Sequence, residues 1–271
     1  FAKMLEETIK KYQNRTIEAA QVIAELVELA KKIRAEKDRG KDIGLTPEEV
    51  AFYDDTFTLF KDVLKEFCET IIKEKISLTW SCFTRVDCVD EPMLRLMKRS
   101  GCHLILFGVE SADEQILKNI KKNISLEQVE KMVRLSRLIG IETRASFMFG
   151  NQGETEETIK KTIDFSLKLD PDEVQFNIAT AYPGTELFTW AKERGYIKTF
   201  NWDEYSMSNV VLELPNLSKE TMQYYYGLAH RRFYLRPRII LRRLFRIRTF
   251  DQLKQEVKGG LMILNFITHK K

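Results

Sequence analysis

The sequence predicts an α/β protein: a partial parallel (β/α) barrel set between an N-terminal helical segment and a basic, helical C-terminal extension. Three observations lead there. Up to Asp54 the apolar residues recur only at helical spacing. After Asp54, short apolar runs alternate with amphipathic helices. Polar residues then gather where each run ends. The expected boundaries are residues 1–53, 54–200 and 201–271.

In the first segment, RTIEAAQVIAELVELAKKIR places Ala20, Ile23, Val27, Ala30 and Ile33 three or four apart with charges between them, which makes one helical face apolar. A shorter helix, roughly residues 3–13, precedes it. After the polar turn DRGKDIGL, Thr46, Pro47 and Glu49 have the order of an N-cap, a first helical residue and a capping-box partner. So small a helical array buries little by itself and needs a partner surface.

The strands expected after Asp54 are LTWSCF (78–83), LILFGV (104–109), ETRASFMF (142–149) and VQFNIAT (174–180). Helices are expected near 59–75, 91–100, 113–139 in two pieces, and 155–169. Continuous apolar strands separated by helices indicate a parallel sheet with a covered face. Gly101 and Gly140 stand where helices should stop, and Ser125 with Gln128 marks a capping box. The strand ends carry Thr84-Arg85-Val86-Asp87, Glu110-Ser111, Asn151-Gln152-Gly153-Glu154 and Thr180 to Thr185. In parallel β/α folds the carboxyl ends of the strands form the site, so these loops are expected on one face.

Composition limits the alternatives. Of 271 residues, 44% are hydrophobic and 31% charged, as in a soluble globular protein. No run approaches the ~20 apolar residues needed to span a bilayer. The start, FAKMLEETIKKYQ, does not begin with Met and has no signal-type apolar core, so a piece of a longer, cytoplasmic chain is expected. The cysteines, Cys68, Cys82, Cys88 and Cys102, have no metal-site spacing, so no metal ligands are assigned. Residues 230–271 hold twelve Lys and Arg against Asp251 and Glu256, so the chain's positive charge belongs to its tail.

The ordered set Asp54-Asp55-Thr56-Phe57-Thr58, TWSCFTRVD, FGVES, ASFMFGNQGETEET and ATAYPGTEL resembles the radical S-adenosylmethionine (SAM) enzymes, specifically those with a cobalamin (B12)-binding domain ahead of a TIM-like barrel. NWDEYSMSNVVLELPNLS and HRRFYLRPRIILRRL extend the resemblance, which covers about residues 54–271. It implies cofactor-binding roles by position. Asp54, Asp55 and Thr56 match the contact to the SAM amino group. Glu110 and Ser111 match a polar pair facing ribose or methionine, and Arg144 a basic position for the carboxylate. Gly150 and Gly153, with Glu154, match the turn that shapes the adenine pocket; Ala179 to Tyr182 match the strand edge near adenine. In the family SAM is cleaved by one electron to a 5′-deoxyadenosyl radical. The residue types suit SAM, because a zwitterion needs an acceptor and a cation while ribose needs carboxylate or hydroxyl partners. Read from the residues alone, Glu110 and Arg144 also suit a structural ion pair, and Arg85 and Asp87 a local pair.

The resemblance also implies a [4Fe-4S] cluster held by C-x3-C-x2-C, and cobalamin. Neither the triplet nor the cobalamin-binding elements occur in this sequence. Weak or residual SAM binding and no turnover are therefore expected. YQNRTIEAAQVIAELVELAKKIRAEKDRGKDIGLTPEEVAFYD instead resembles the C-terminal helical segment of the type I restriction endonuclease R subunit, with a join near residues 52–55 that a fusion explains. The rival reading is a non-catalytic helical interaction module with the barrel as passenger.

The tail HRRFYLRPRIILRRLFRIRT interleaves eight arginines with apolar residues, and Pro237 is expected to start a helix whose apolar side holds Ile240, Leu241, Leu244 and Phe245. One reading packs that helix on the barrel with its arginines solvated; another lays residues 230–249 on an anionic membrane surface. Nucleic acid is the poorest fit, since no recognition module accompanies the arginines. A small-molecule or lipid-like substrate is what the resemblance implies.

Overall fold

The computed structural model describes residues 28, 50–52 and 57–245. The helices expected before residue 50, the residues Asp54, Asp55 and Thr56, and residues 246–249 of the tail lie outside them. Five strands form one sheet in chain order: β1 (Val50–Phe52), β2 (Trp80–Thr84), β3 (Cys102–Glu110), β4 (Glu142–Phe149) and β5 (Glu173–Ile178). The helices between and after them are α1 (Lys61–Lys73), α2 (Glu91–Arg99), α3 (Glu114–Asn119), α4 (Leu126–Ile139), α5 (Glu156–Leu169), α6 (Glu186–Glu193), α7 (Lys219–Tyr234) and α8 (Pro237–Leu244). This is the expected partial parallel β/α arrangement, with 113–139 divided into two helices as read from the sequence.

The chain divides into two compact units, Phe1–Gly108 with Glu127–Arg144, and Val109–Leu126 with Ala145–Lys271. In the first, β1 is a strand that the sequence reading did not assign. Val50, Ala51 and Phe52 pair in parallel with Trp80, Ser81 and Cys82. A helix begun at Thr46 therefore does not run through these residues. The pairing is fixed by side chains. Phe52 stacks on Phe57 at 4.5 Å and meets Phe67 and Trp80 edge-on at 5.5 and 5.8 Å. Trp80 is fully buried and donates its indole N–H to Ser100 O at 3.0 Å. The Thr58 and Thr84 hydroxyls bond to each other beside this cluster. An edge of β2 left unpaired would offer its backbone groups to other chains, and three residues of β1 cover it from Trp80 to Cys82.

The second unit is built on α5, β5 and α7. α7 packs on both, with Met222, Tyr225, Ala229 and Phe233 buried. Tyr225 Oη donates to Glu156 Oε2 at 2.7 Å and Tyr234 Oη to Val174 O at 2.6 Å. A smaller apolar cluster, Ala181, Ala191, Val211 and Leu212, forms under α6 and the segment that follows it.

α8 begins at Pro237 as expected, but its faces are reversed. Asp170, only 7% exposed, takes Arg236 at 2.9 Å, Arg242 at 3.0 Å and Arg238 at 3.2 Å. Arg242 also reaches Asp172, and Arg243 reaches Glu173, each at 3.5 Å. The arginines thus attach the helix to the α5–β5 corner rather than being merely solvated. Ile239 is buried, whereas Ile240, Leu241, Leu244 and Phe245 are exposed. The acidic run Asp170-Pro171-Asp172-Glu173 explains the reversal: its largely buried carboxylates are paired by charge-assisted bonds from the guanidinium groups of α8. Among the described residues no helix is long and apolar enough to cross a membrane.

Candidate functional site

Three loops at strand C-terminal ends of the second unit carry most of the predicted residues. The first follows β3. Glu110 has φ 70, a left-handed conformation that costs a non-glycine residue about 1 kcal/mol and so marks a backbone held by its surroundings. Lys122 Nζ lies 3.0 Å from Glu110 Oε1, with both side chains more than four-fifths buried. Among the described residues Glu110 Oε2 has no partner. Ser111 is fully buried. Its Oγ lies 3.3 Å from Thr162 Oγ1 and accepts from Asp113 N at 3.1 Å, while Ala112 N donates to Thr162 Oγ1 at 3.0 Å. Asp113 then caps α3, accepting from Gln115 N and Ile116 N, and pairs with Lys161 at 3.1 Å. Ser111 therefore shapes this loop, while the Glu110 carboxylate is the group left to accept a ligand's donors.

The second loop joins β4 to α5. Gly150 and Gly153 both have φ 89. A Cβ on Gly150 would stand 3.0 Å from Met222 Sδ, and one on Gly153 2.9 Å from Asn119 Nδ2. Asn119 donates to Gln152 O at 2.7 Å, so α3 and α7 both set this turn. Glu154 closes it. The carboxyl is 4% exposed, and burial pushes its pKa up to about 7 despite bonds from the Thr158 hydroxyl and the Asn151 and Gly150 amides. Its Oε2 has no hydrogen-bond partner. Thr155 and Thr158 form a reciprocal capping box at the start of α5.

The third loop follows β5. Ala179 N donates to Phe149 O at 2.7 Å, and Ala179 is buried. Tyr182 is 46% exposed and its hydroxyl donates to Tyr205 O at 3.4 Å.

Glu110, Ser111, Gly150, Gly153, Ala179 and Tyr182 thus all fall on these three loops. Arg144 lies half-buried on β4, within the first unit. Glu110's ion pair is with Lys122, a residue the sequence reading did not single out. Arg85 and Asp87 form the local pair, through Nε at 2.9 Å and Nη2 at 2.7 Å. Lys122, Asn119, Thr162 and Met222 were missed because their contacts span 12 to about 70 residues and have no motif; Lys122, just past α3, lies 12 residues from its carboxylate partner.

The fit to the family's cofactors differs by group. A cluster needs three thiolates. Cys68, Cys88 and Cys102 are buried and remain thiols: desolvation pushes Cys68 up to about 12 and raises the other two. Among the described residues no three His, Cys, Asp or Glu side chains are grouped to hold a metal ion. These cysteines do not fit a [4Fe-4S] cluster. The largely buried Glu110 carboxylate and the glycine turn do fit a nucleoside with vicinal hydroxyls.

A parallel β/α sheet with its polar loops at the strand carboxyl ends defines an α/β protein of the class that binds ligands at those ends, and comparison makes it specific. The chain is 35% identical over 216 residues to "uncharacterized methyltransferase PH0819" of Pyrococcus horikoshii, covering 80% of this chain and 47% of that protein. It is 26% identical over 192 residues to the anaerobic magnesium-protoporphyrin IX monomethyl ester cyclase of Rubrivivax gelatinosus, covering 69% of this chain and 34% of the cyclase. The radical SAM methyltransferase TsrM of Kitasatospora setae, solved with cobalamin and a [4Fe-4S] cluster bound, superposes with a TM-score of 0.55 at 22% identity, over 67% of this chain and 32% of TsrM. Residues 1–62 match the family "Type I restriction enzyme HindI endonuclease subunit-like, C-terminal". The chain is therefore related in sequence to these methyltransferases and shares its fold with cobalamin-dependent radical SAM enzymes, and its first 62 residues carry the restriction-subunit likeness. It spans less than half the length of these curated relatives.

Proposed function

We propose that this chain carries the SAM-binding part of a cobalamin-type radical SAM methyltransferase acting on a small molecule, and that it binds SAM weakly without assembling the cluster. The observation that supports this most directly is Glu110, held in a left-handed conformation at the end of β3 with one oxygen on Lys122. A carboxylate so oriented accepts from the ribose hydroxyls. The glycine turn at 150–154 and the Ala179–Tyr182 edge take the adenosyl side. When bound, SAM supplies a methyl group or an adenosyl radical. What these residues do is bind, orient and exclude water. No cobalamin-binding role is assigned to any residue of this chain.

Calorimetric titration of the full chain with S-adenosylhomocysteine tests the reading. Weak binding is expected, reduced about fivefold or more by Glu110→Gln, the range expected from one lost charged hydrogen bond. Equal binding by both proteins, or none by either, overturns it. Reconstitution with iron and sulfide is expected to give no [4Fe-4S] absorption or EPR signal, and such a signal refutes the cluster-free part. The match over residues 1–62 favours a second reading, in which those residues dock on type I restriction subunits. Retention of the full chain on immobilised subunits would support it, and no retention would dismiss it.

A further inference from the structure

α8 holds its arginines inward and its apolar side chains outward, and the two sets form opposite stripes at helical spacing. Arg236, Ile239, Arg242 and Arg243 turn toward the α5–β5 corner, where Asp170, Asp172 and Glu173 receive the guanidinium groups. Pro237, Ile240, Leu241 and Leu244, three or four residues apart, make the outer stripe, and Phe245 prolongs it. Ile240, Leu241, Leu244 and Phe245 are between 43% and 85% exposed.

The outer stripe is held in place. Five ion pairs fix the inner side, and Arg236 also donates to Leu167 O at 3.0 Å. Rolling the helix to bury its apolar side would break them together, so the stripe calls for a partner from outside. Charge decides which. Residues 230–271 hold twelve Lys and Arg against Asp251 and Glu256. Among the described residues, α7 and α8 pair with Asp164, Asp170, Asp172 and Glu173, too few to balance that excess. A second copy of the chain would set one basic tail against another. Residues 246–271, with six Lys and Arg against the same two acids, would also add positive charge to positive charge. Nucleic acid would match the charge and leave the apolar stripe in water. Negative headgroups over hydrocarbon satisfy both demands.

We infer that the outer stripe of α8 is a docking face for an anionic phospholipid surface. Ile240, Leu241, Leu244 and Phe245 enter the acyl boundary, and Arg238, whose side chain is 70% exposed, lies at the rim among the headgroups. The inference is independent of the SAM reading, since α8 holds none of the residues assigned to that site.

The full chain is floated with vesicles of phosphatidylcholine containing about one third phosphatidylserine, and with vesicles of phosphatidylcholine alone. Binding to the anionic vesicles is expected, about tenfold or more above the neutral ones, and it should fall as salt is raised. Leu241→Ser combined with Leu244→Ser should weaken it about tenfold or more, since both lose apolar area to the acyl boundary. Urea melts of that variant should be unchanged, because both side chains face solvent in the free protein. Leu241→Phe combined with Leu244→Phe should keep the binding. Leu138→Ser, at an exposed position on α4 in the first unit, should change nothing. No binding to anionic vesicles, equal binding to both kinds, or equal losses in the double serine variant and Leu138→Ser overturns the docking face. A double serine variant that melts earlier would show the stripe covered by the chain itself. One that lowers the sedimenting mass would show it covered by a second copy, and either result also overturns the proposal.

Discussion

Replacing Glu154 by Gln should make the protein more stable at pH 8 than at pH 5, relative to the unsubstituted chain. Burial raises the Glu154 carboxyl from 4.5 to about 7, so between those values the folded protein holds a proton that the unfolded chain has released. A raised carboxyl contributes stability that is complete below the unfolded value and lost as pH rises toward the folded one. Integrated from pH 5 to pH 8, the loss is about 2.5 kcal/mol, at 1.36 kcal/mol per pKa unit. Glutamine has the same shape and carries no charge at either pH, so the variant escapes this loss. The other titrating groups facing the turn, Asp113 with Lys161 on α5 and Glu110 with Lys122, are unchanged by the substitution and cancel in the comparison. Urea unfolding of both proteins at pH 5 and pH 8 gives the four stabilities required. The variant's advantage should grow by about 2 to 3 kcal/mol across that range, or about 5 to 10 °C in melting temperature. Parallel pH profiles would show that Glu154 is ionised in the fold at both pH values, and that its orphan oxygen is satisfied by solvent.

Gly150→Ala should cost about 2 kcal/mol, because it combines a positive φ with a Cβ 3.0 Å from Met222 Sδ; Met222→Ala in the same chain should recover part of that loss in denaturant melts. Asp170→Asn keeps a residue that tolerates φ 48 but removes the charge that holds three arginines, so trypsin should cut in residues 236–243 about tenfold faster. An unchanged cleavage rate would mean Ile239 alone anchors α8. Lys122→Met should weaken S-adenosylhomocysteine binding as Glu110→Gln does, and the double variant should lose no more than either single one, as calorimetry would show.

Much of the fold was legible because local signals agreed with tertiary ones. β4 spans 142–149 as expected for an apolar run between two helices, and the structure alternates its burial, with even positions partly open and odd ones buried. Gly101 and Gly140 end α2 and α4 with positive φ. Asp113, Thr155 and Ser218 cap helices at positions where short polar side chains precede apolar periodicity. β1 was not legible. Val50 to Phe52 follow a capping-box pattern, and only contact with Trp80 and Phe67, from 15 to 30 residues on, makes them a strand. α8 failed for another reason. Periodicity finds an apolar face but not which face turns inward, and here Asp170 decided it from about 70 residues away. In the candidate site the loops were visible as polar clusters. The roles inside them were not, since Ser111 turns to Thr162 and Glu110 takes Lys122.

Trp80 gives the first unit a built-in reporter. It is the only tryptophan in Phe1–Gly108 and Glu127–Arg144; Trp190 and Trp202 belong to the second unit. Fully enclosed by Phe52, Phe57 and Phe67, its indole should emit at short wavelength and resist collisional quenchers while β1 is in place. With Trp190 and Trp202 changed to Phe, emission would come from a single ring touching the strand supplied by the restriction-like segment. The pairing of β1 with β2 would then have its own colour, and its opening could be timed in a stopped-flow cell.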